Sequence, residues 1–119
     1  MQSTFLALIT LLLAGVPLLA GEAASAVQPT PERKQELQYL LVHDCGSCHG
    51  MQMKGGLGPP LLPQNLDGKD DAVLAWIVLN GLPGTAMPPW RGLLDDTDAA
   101  WLIHILKSND DEQSTQRDP

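Results

Sequence analysis

Basic side chains are scarce in this sequence. Seven Lys and Arg stand against fourteen Asp and Glu, a formal net charge of −7 with His neutral. A nucleic-acid binder needs a basic face for the phosphates, so that class is excluded. Aromatic residues are also few, with one Phe, one Tyr and three Trp. Two cysteines are too few for a disulfide framework, and a four-ligand zinc site would have to borrow from the three histidines. No stretch alternates as a strand does, and no segment repeats. The 44% of apolar residues is nevertheless too high for a disordered chain, and 119 residues suffice for one domain at most.

Some of that apolar content lies in one segment. Residues 5–20 read FLALITLLLAGVPLLA, uncharged throughout, and the small residues Ala24-Ser25-Ala26 follow. This is the pattern of an export signal, with cleavage expected after Ala26. The segment before the apolar run lacks Lys and Arg, so the terminal amine is its only positive charge. The alternative, an uncleaved anchor, is disfavoured by a run shorter than the roughly 20 residues that span a bilayer and by Pro17 within it. Cleavage removes Glu22 and no base, so the exported chain stays acidic. Export also places the two cysteines where thiols are oxidised or covalently used.

Residues 27–30 form a short linker. Thr30-Pro31 suits a helix start, with Thr as N-cap and Pro at the first helical position. PERKQELQYLLVHD then places Leu37, Leu40 and Leu41 at helical spacing, with Glu32, Arg33, Lys34 and Gln38 outward and Gly46 and Gly50 as stop signals. The Gly- and Pro-rich stretch 50–69 leaves no room for a long element. Asp70-Asp71 caps AVLAWIVLN, which Asn80-Gly81 ends. LPGTAMPPWRG is a second loop. A last helix runs from about Asp96 to Lys107, capped by Asp95, Asp96 or Thr97, with an apolar face too broad for a surface helix. SNDDEQSTQRDP has no apolar residue and is expected to be disordered, giving an acidic tail over 109–119. A domain over 31–108 made of three or four short helices buries little surface unaided. Domains of this size are usually held by a disulfide, metal or cofactor, and long loops are generally wrapped around something.

Cys45-Gly46-Ser47-Cys48-His49 is C-x-x-C-H, the attachment signature of haem c. Two thiols can add to the two vinyl groups on one porphyrin edge, and the following imidazole then lies beneath the iron. A thioredoxin-like C-x-x-C would head a helix after a strand, whereas this motif ends a helix. A plain disulfide leaves the long loops unexplained, and zinc lacks a second ligand pair. Gly55-Gly56-Leu57-Gly58 is Gly-rich but has neither the strand–helix context nor the Lys-Ser/Thr of a phosphate loop. One covalent haem is the reading that remains.

The order of helix, CGSCH, GPPL loop, helix, MPPW loop and terminal helix resembles class I cytochromes c, across essentially the whole domain after the export segment. The resemblance implies a small all-α fold of short helices and long loops wrapped around haem. It implies iron ligation by His49 and by Met87, which stands before a Pro on the loop preceding the last helix. Met51 and Met53 are rival thioethers, but they follow His49 too closely for the chain to pass round the porphyrin. A bis-His pairing would have to use His43 or His104; His43 falls on the side of the attached cysteines, and the terminal helix carrying His104 has a packing role in the family. Gly58-Pro59-Pro60-Leu61 resembles the family's G-P-x-L, which implies that the Pro59 carbonyl accepts from the His49 Nδ1–H and that Leu61 touches haem. Gly58 would let the backbone turn beside the ring. Leu41 and Trp101 fit the family's crossing of first and last helices, although Leu37 stands where Gly or Ala is common. Trp76, Trp90 and Arg91 are candidates for the haem propionates, with Trp90 preferred.

With His and Met on iron, no position is open to a substrate, so the implied function is outer-sphere electron transfer at a raised potential, and not enzymic catalysis. The stretches 32–63 and 79–94 resemble cytochrome c-55X of denitrifying bacteria. That resemblance implies a periplasmic carrier whose partner is cytochrome cd1 nitrite reductase. It equally implies a redox factor in d1 haem biosynthesis or insertion. A general periplasmic carrier is the third possibility. The acidic surface suits small, transient encounters with a basic or apolar docking face.

Overall fold

A computed structural model describes residues 27–108; the expected export signal and acidic tail lie outside the described residues. The described residues are helical, without a strand. Helix α1 (Pro31–Leu40) starts where Thr30 Oγ1 accepts the Arg33 N–H at 3.3 Å, with Pro31 supplying a pre-set first turn. The chain does not stop at Gly46, as its stop signal suggested. It widens into a π-helical stretch (Leu41–Cys45), in which the Gly46 N–H reaches back to the Leu41 carbonyl, and continues as α2 (Gly46–His49). Gly50, at φ 88°, breaks the helix.

The loop that follows doubles back on α2. Gly55 N–H donates to the His49 carbonyl and Gly58 N–H to the Cys48 carbonyl, both at 2.8 Å, and Leu61 N–H donates to Met53 at 2.9 Å. A single turn, α3 (Pro63–Leu66), buries Leu66. Helix α4 (Asp71–Asn80) is capped by Asp70, whose carboxylate accepts the Val73 N–H at 2.9 Å. Gly81 ends it at φ 72°, where a Cβ would lie 2.8 Å from the Met87 carbonyl. Helix α5 (Asp96–Lys107) starts in a reciprocal box: the Asp95 carboxylate takes the Asp98 N–H at 2.8 Å, and the Asp98 carboxylate takes the Asp95 N–H at 3.2 Å.

Helix α5 is the centre of the domain. Its Ala99, Trp101, Leu102, Ile103 and Leu106 are buried together with Leu37, Leu41, Met53, Leu66, Leu79 and Leu94. Helices α3 and α4 pack against it, and the broad apolar face read from the sequence is thereby consumed. Lys107 ties α5 to the start of α4 by bonding Asp71 and the Lys69 carbonyl.

Two side chains expected to face outward do not. Arg33 turns inward to the nearly buried Asp98, 5% exposed, and Lys34 lies 5.7 Å above the Trp101 ring. A long cationic side chain can lay its stem along an apolar face while its head finds a charge or a ring, so helical spacing alone misassigns it. Leu37 is fully buried, so a bulky side chain occupies the position where α1 meets the core.

Candidate metal centre

The motif residues sit where the widened end of the first helix meets the Gly-rich loop. The Cys45 and Cys48 side chains are each part-exposed. Burial, helped by the negative Asp44, pushes the Cys45 thiol up to about 11. A thiol so raised is protonated at neutral pH, unlike the low-pKa thiolate of a dithiol oxidoreductase. Ser47 Oγ donates to the Asp44 carbonyl at 2.6 Å and stiffens the turn between the cysteines.

His49 is oriented from outside its own helix. Its Nδ1 lies 2.7 Å from the Pro59 carbonyl oxygen. A carbonyl can only accept, so Nδ1 carries the proton and Nε2 keeps its lone pair free for a metal. Gly58 lies flat against the same ring. A Cβ there would be 2.7 Å from Cε1 and 2.8 Å from Nδ1, closer than carbon atoms approach. Gly56 is equally tight, its would-be Cβ 2.8 Å from the Cys48 carbonyl. The glycines of this loop therefore serve close approach to the CGSCH turn.

Met87 lies on the loop between α4 and α5, half-buried. Its carbonyl accepts the Leu82 N–H at 3.2 Å, and its own N–H donates to Thr85 Oγ1 at the same distance. Thr85 in turn donates its hydroxyl to the Leu82 carbonyl at 2.6 Å. The return limb of the loop is held beside α4 by Trp90 N–H to Val78 and Arg91 N–H to Leu79, both 3.1 Å.

The remaining candidates separate by environment. Met53 is buried in the core at a positive φ of 56°, whereas Met51 is 52% exposed. His43 is exposed, its ring 4.1 Å from that of Tyr39, and His104 is exposed on α5. Leu61 and Trp90 are half-buried against the core, as are Cys45, Leu62, Leu74, Ala75 and Val78. Trp76 is 54% exposed, and Arg91 is exposed beside Asp96 at 3.4 Å.

These residues fit a haem. Two thiols precede a histidine with a pre-oriented Nε2, and apolar side chains, Leu61 and Trp90 among them, are left half-covered against the core. Among the described residues no group of three or more His, Cys, Asp or Glu is placed to hold a metal. His49 is thus an isolated nitrogen donor, which suits an iron whose in-plane donors come from a porphyrin.

Comparison with known proteins agrees. Residues 32–104 match the family model for cytochrome C oxidase, cbb3-type, subunit III. The chain is 46% identical over 95 residues to a cytochrome c55X of Paracoccus denitrificans, an alignment that covers 80% of this chain and 91% of that one. The chain belongs to the cytochrome c55X family of c-type cytochromes. The solved structure of a c-type cytochrome NirC superposes on this cytochrome with a TM-score of 0.68 at 49% identity, covering 69% of this chain and 96% of that one. A dihydro-heme d1 dehydrogenase of Pseudomonas aeruginosa is 35% identical over 91 residues, which span 76% of this cytochrome but 18% of the enzyme. Family membership implies haem c as the cofactor and a part in electron transport. The class I cytochrome fold expected from the sequence is the one observed. The ion pair of Arg33 with Asp98 joins residues 65 positions apart and leaves no local signal in the sequence.

Proposed function

We propose that this cytochrome is a periplasmic monohaem electron carrier, exported behind residues 1–26, whose one haem is bonded through Cys45 and Cys48. His49 and Met87 would hold the iron, the Pro59 carbonyl would orient His49, and Leu61 and Trp90 would line the group. When bound, haem supplies a one-electron couple at its iron. The observation that carries this reading is the His49 Nδ1–H bond to Pro59 at 2.7 Å, which leaves Nε2 ready within a C-x-x-C-H turn. The chain's part is to hold the histidine ring in one tautomer and orientation and to present a thioether from the opposite loop. Half-buried apolar side chains such as Leu61 and Trp90 would keep water from the group.

The partner we propose is cytochrome cd1 nitrite reductase, in keeping with the c55X likeness. The likeness to a dihydro-heme d1 dehydrogenase favours a second role, as a redox factor while d1 haem is made or inserted. Deleting the gene in a denitrifying host and measuring d1 haem in the purified nitrite reductase separates the two. Full d1 haem with slowed nitrite respiration supports the donor role. Reductase lacking d1 haem moves the protein to cofactor assembly. Normal respiration with full d1 haem leaves a general carrier.

A further inference from the structure

Arg33 has more partners than a structural ion pair needs. Its Nε lies 3.2 Å from both Asp98 carboxylate oxygens, and its Nη2 lies 2.7 Å from Oδ2. Nη1 donates to Glu36 at 2.8 Å, and Nη2 donates a further bond to the Leu93 carbonyl at 2.8 Å. Leu93 is not on α5. It closes the loop that carries Met87: the Leu93 and Leu94 N–H groups both donate to the Trp90 carbonyl, at 2.8 and 2.9 Å. Trp90 is the residue whose own N–H holds the return limb of that loop against Val78.

A continuous set of hydrogen bonds therefore runs from α1 through Arg33 and Leu93 to Trp90, three residues beyond Met87. The loop's backbone bonds to a helix, described above, go to α4, the element it leaves, and the Arg91 side chain reaches Asp96 at the start of α5. Arg33 is the tie to the far end of the chain. Asp98, almost wholly buried and itself held by the Asp95 N–H, fixes the guanidinium so that Nη2 points at the carbonyl. A lysine could satisfy the charge of Asp98, but its single nitrogen lacks the planar fork that also reaches Leu93.

We propose that Arg33 is a positioning residue for Met87, holding the methionine loop shut so that the thioether stays on the iron. The inference rests on the proposed ligation of the iron by Met87. A thioether is a neutral, weakly held ligand, and its retention depends on how firmly its loop is presented.

The test is displacement of Met87 by imidazole in the haem-loaded ferric protein, followed by its visible spectrum, in the parent, Arg33→Lys, Arg33→Gln, Glu36→Gln and Met87→Ala. Arg33→Lys keeps Asp98 paired and serves where the Gln variant fails to fold. We expect Arg33→Lys to bind imidazole about tenfold more tightly than the parent, the scale of one charged hydrogen bond lost from the closed loop. Glu36→Gln should match the parent, and adding Arg33→Lys to Met87→Ala should change nothing further. If Arg33→Lys lowers the unfolding midpoint but leaves imidazole affinity at the parent value, Arg33 is structural only and the inference falls. If the parent already binds imidazole as tightly as Met87→Ala does, Met87 is not the ligand, and both readings fall together.

Discussion

His49, Gly58 and Pro59 act as one unit, because the ring is held on one side by a carbonyl and faced on another by a residue with no side chain. Gly58→Ala inserts a methyl 2.7 Å from Cε1, so either the ring or the loop must move. Overpacking of this kind costs about 1–3 kcal/mol, and its visible consequence should be a poorer haem yield and a shifted potential in the product that forms. Met87→Ala tests the second proposed ligand. It should lower the reduction potential and let added ligands bind iron, since a Met/His pair holds the potential up. An unchanged potential and a spectrum indifferent to ligands would remove Met87 from the site. Cys48→Ser should leave little protein carrying covalent haem, judged by haem staining of the denatured band. Normal accumulation would sink the attachment.

At the scale of the element, the start of α5 does the most. Asp98 closes the reciprocal box with Asp95 and also receives Arg33. The hydrogen bond from Arg33 and its positive charge, with that from the Asp95 N–H, hold the Asp98 carboxyl below the usual carboxylate range against the effect of burial. A group depressed in the folded state contributes stability that is complete above its unfolded pKa, near 3.9, and is lost as pH falls through its lower folded value. Urea unfolding of the parent should therefore weaken below about pH 4. Asp98→Asn should be less stable at neutral pH and show a shallower acid slope; an unaltered slope would assign the acid sensitivity elsewhere. Asp95→Ala removes one cap bond, and the expected loss is about 1 kcal/mol, measured by the same unfolding curves at pH 7.

For the whole molecule, the domain is small, and several apolar side chains packed against its core are only half-covered. Haem and fold should accordingly be coupled, since anything that binds the folded chain alone stabilises it. A cofactor-free chain made by replacing both Cys45 and Cys48 with Ala should unfold at markedly lower urea than the haem-loaded parent. Equal midpoints would mean that the eleven buried apolar side chains among the described residues suffice. The proposed processing has a direct check as well: intact mass of the purified protein should begin at Val27 and include one haem.

Much of this was legible in the chain itself. Thr30, Asp70, Asp95 and Gly81 mark element ends because capping is local chemistry, decided within a few residues. C-x-x-C-H is equally local, since thiols and imidazole must fall on one turn to meet one group. The continuation of the first helix through Gly46 was not legible, because a π-helical stretch depends on how the turn packs rather than on a residue type. Nor was the inward turn of Arg33 and Lys34, whose long side chains choose between solvent and a partner that only folding delivers. Sequence by itself thus determined where α1, α4 and α5 begin and what chemistry the motif carries. Tertiary structure decided which distant groups meet without any motif to announce them: Arg33 with Asp98 and Leu93, and Lys34 with Trp101. Those contacts are set by the closure of loops and helices around a shared core, and no short-range spacing encodes them.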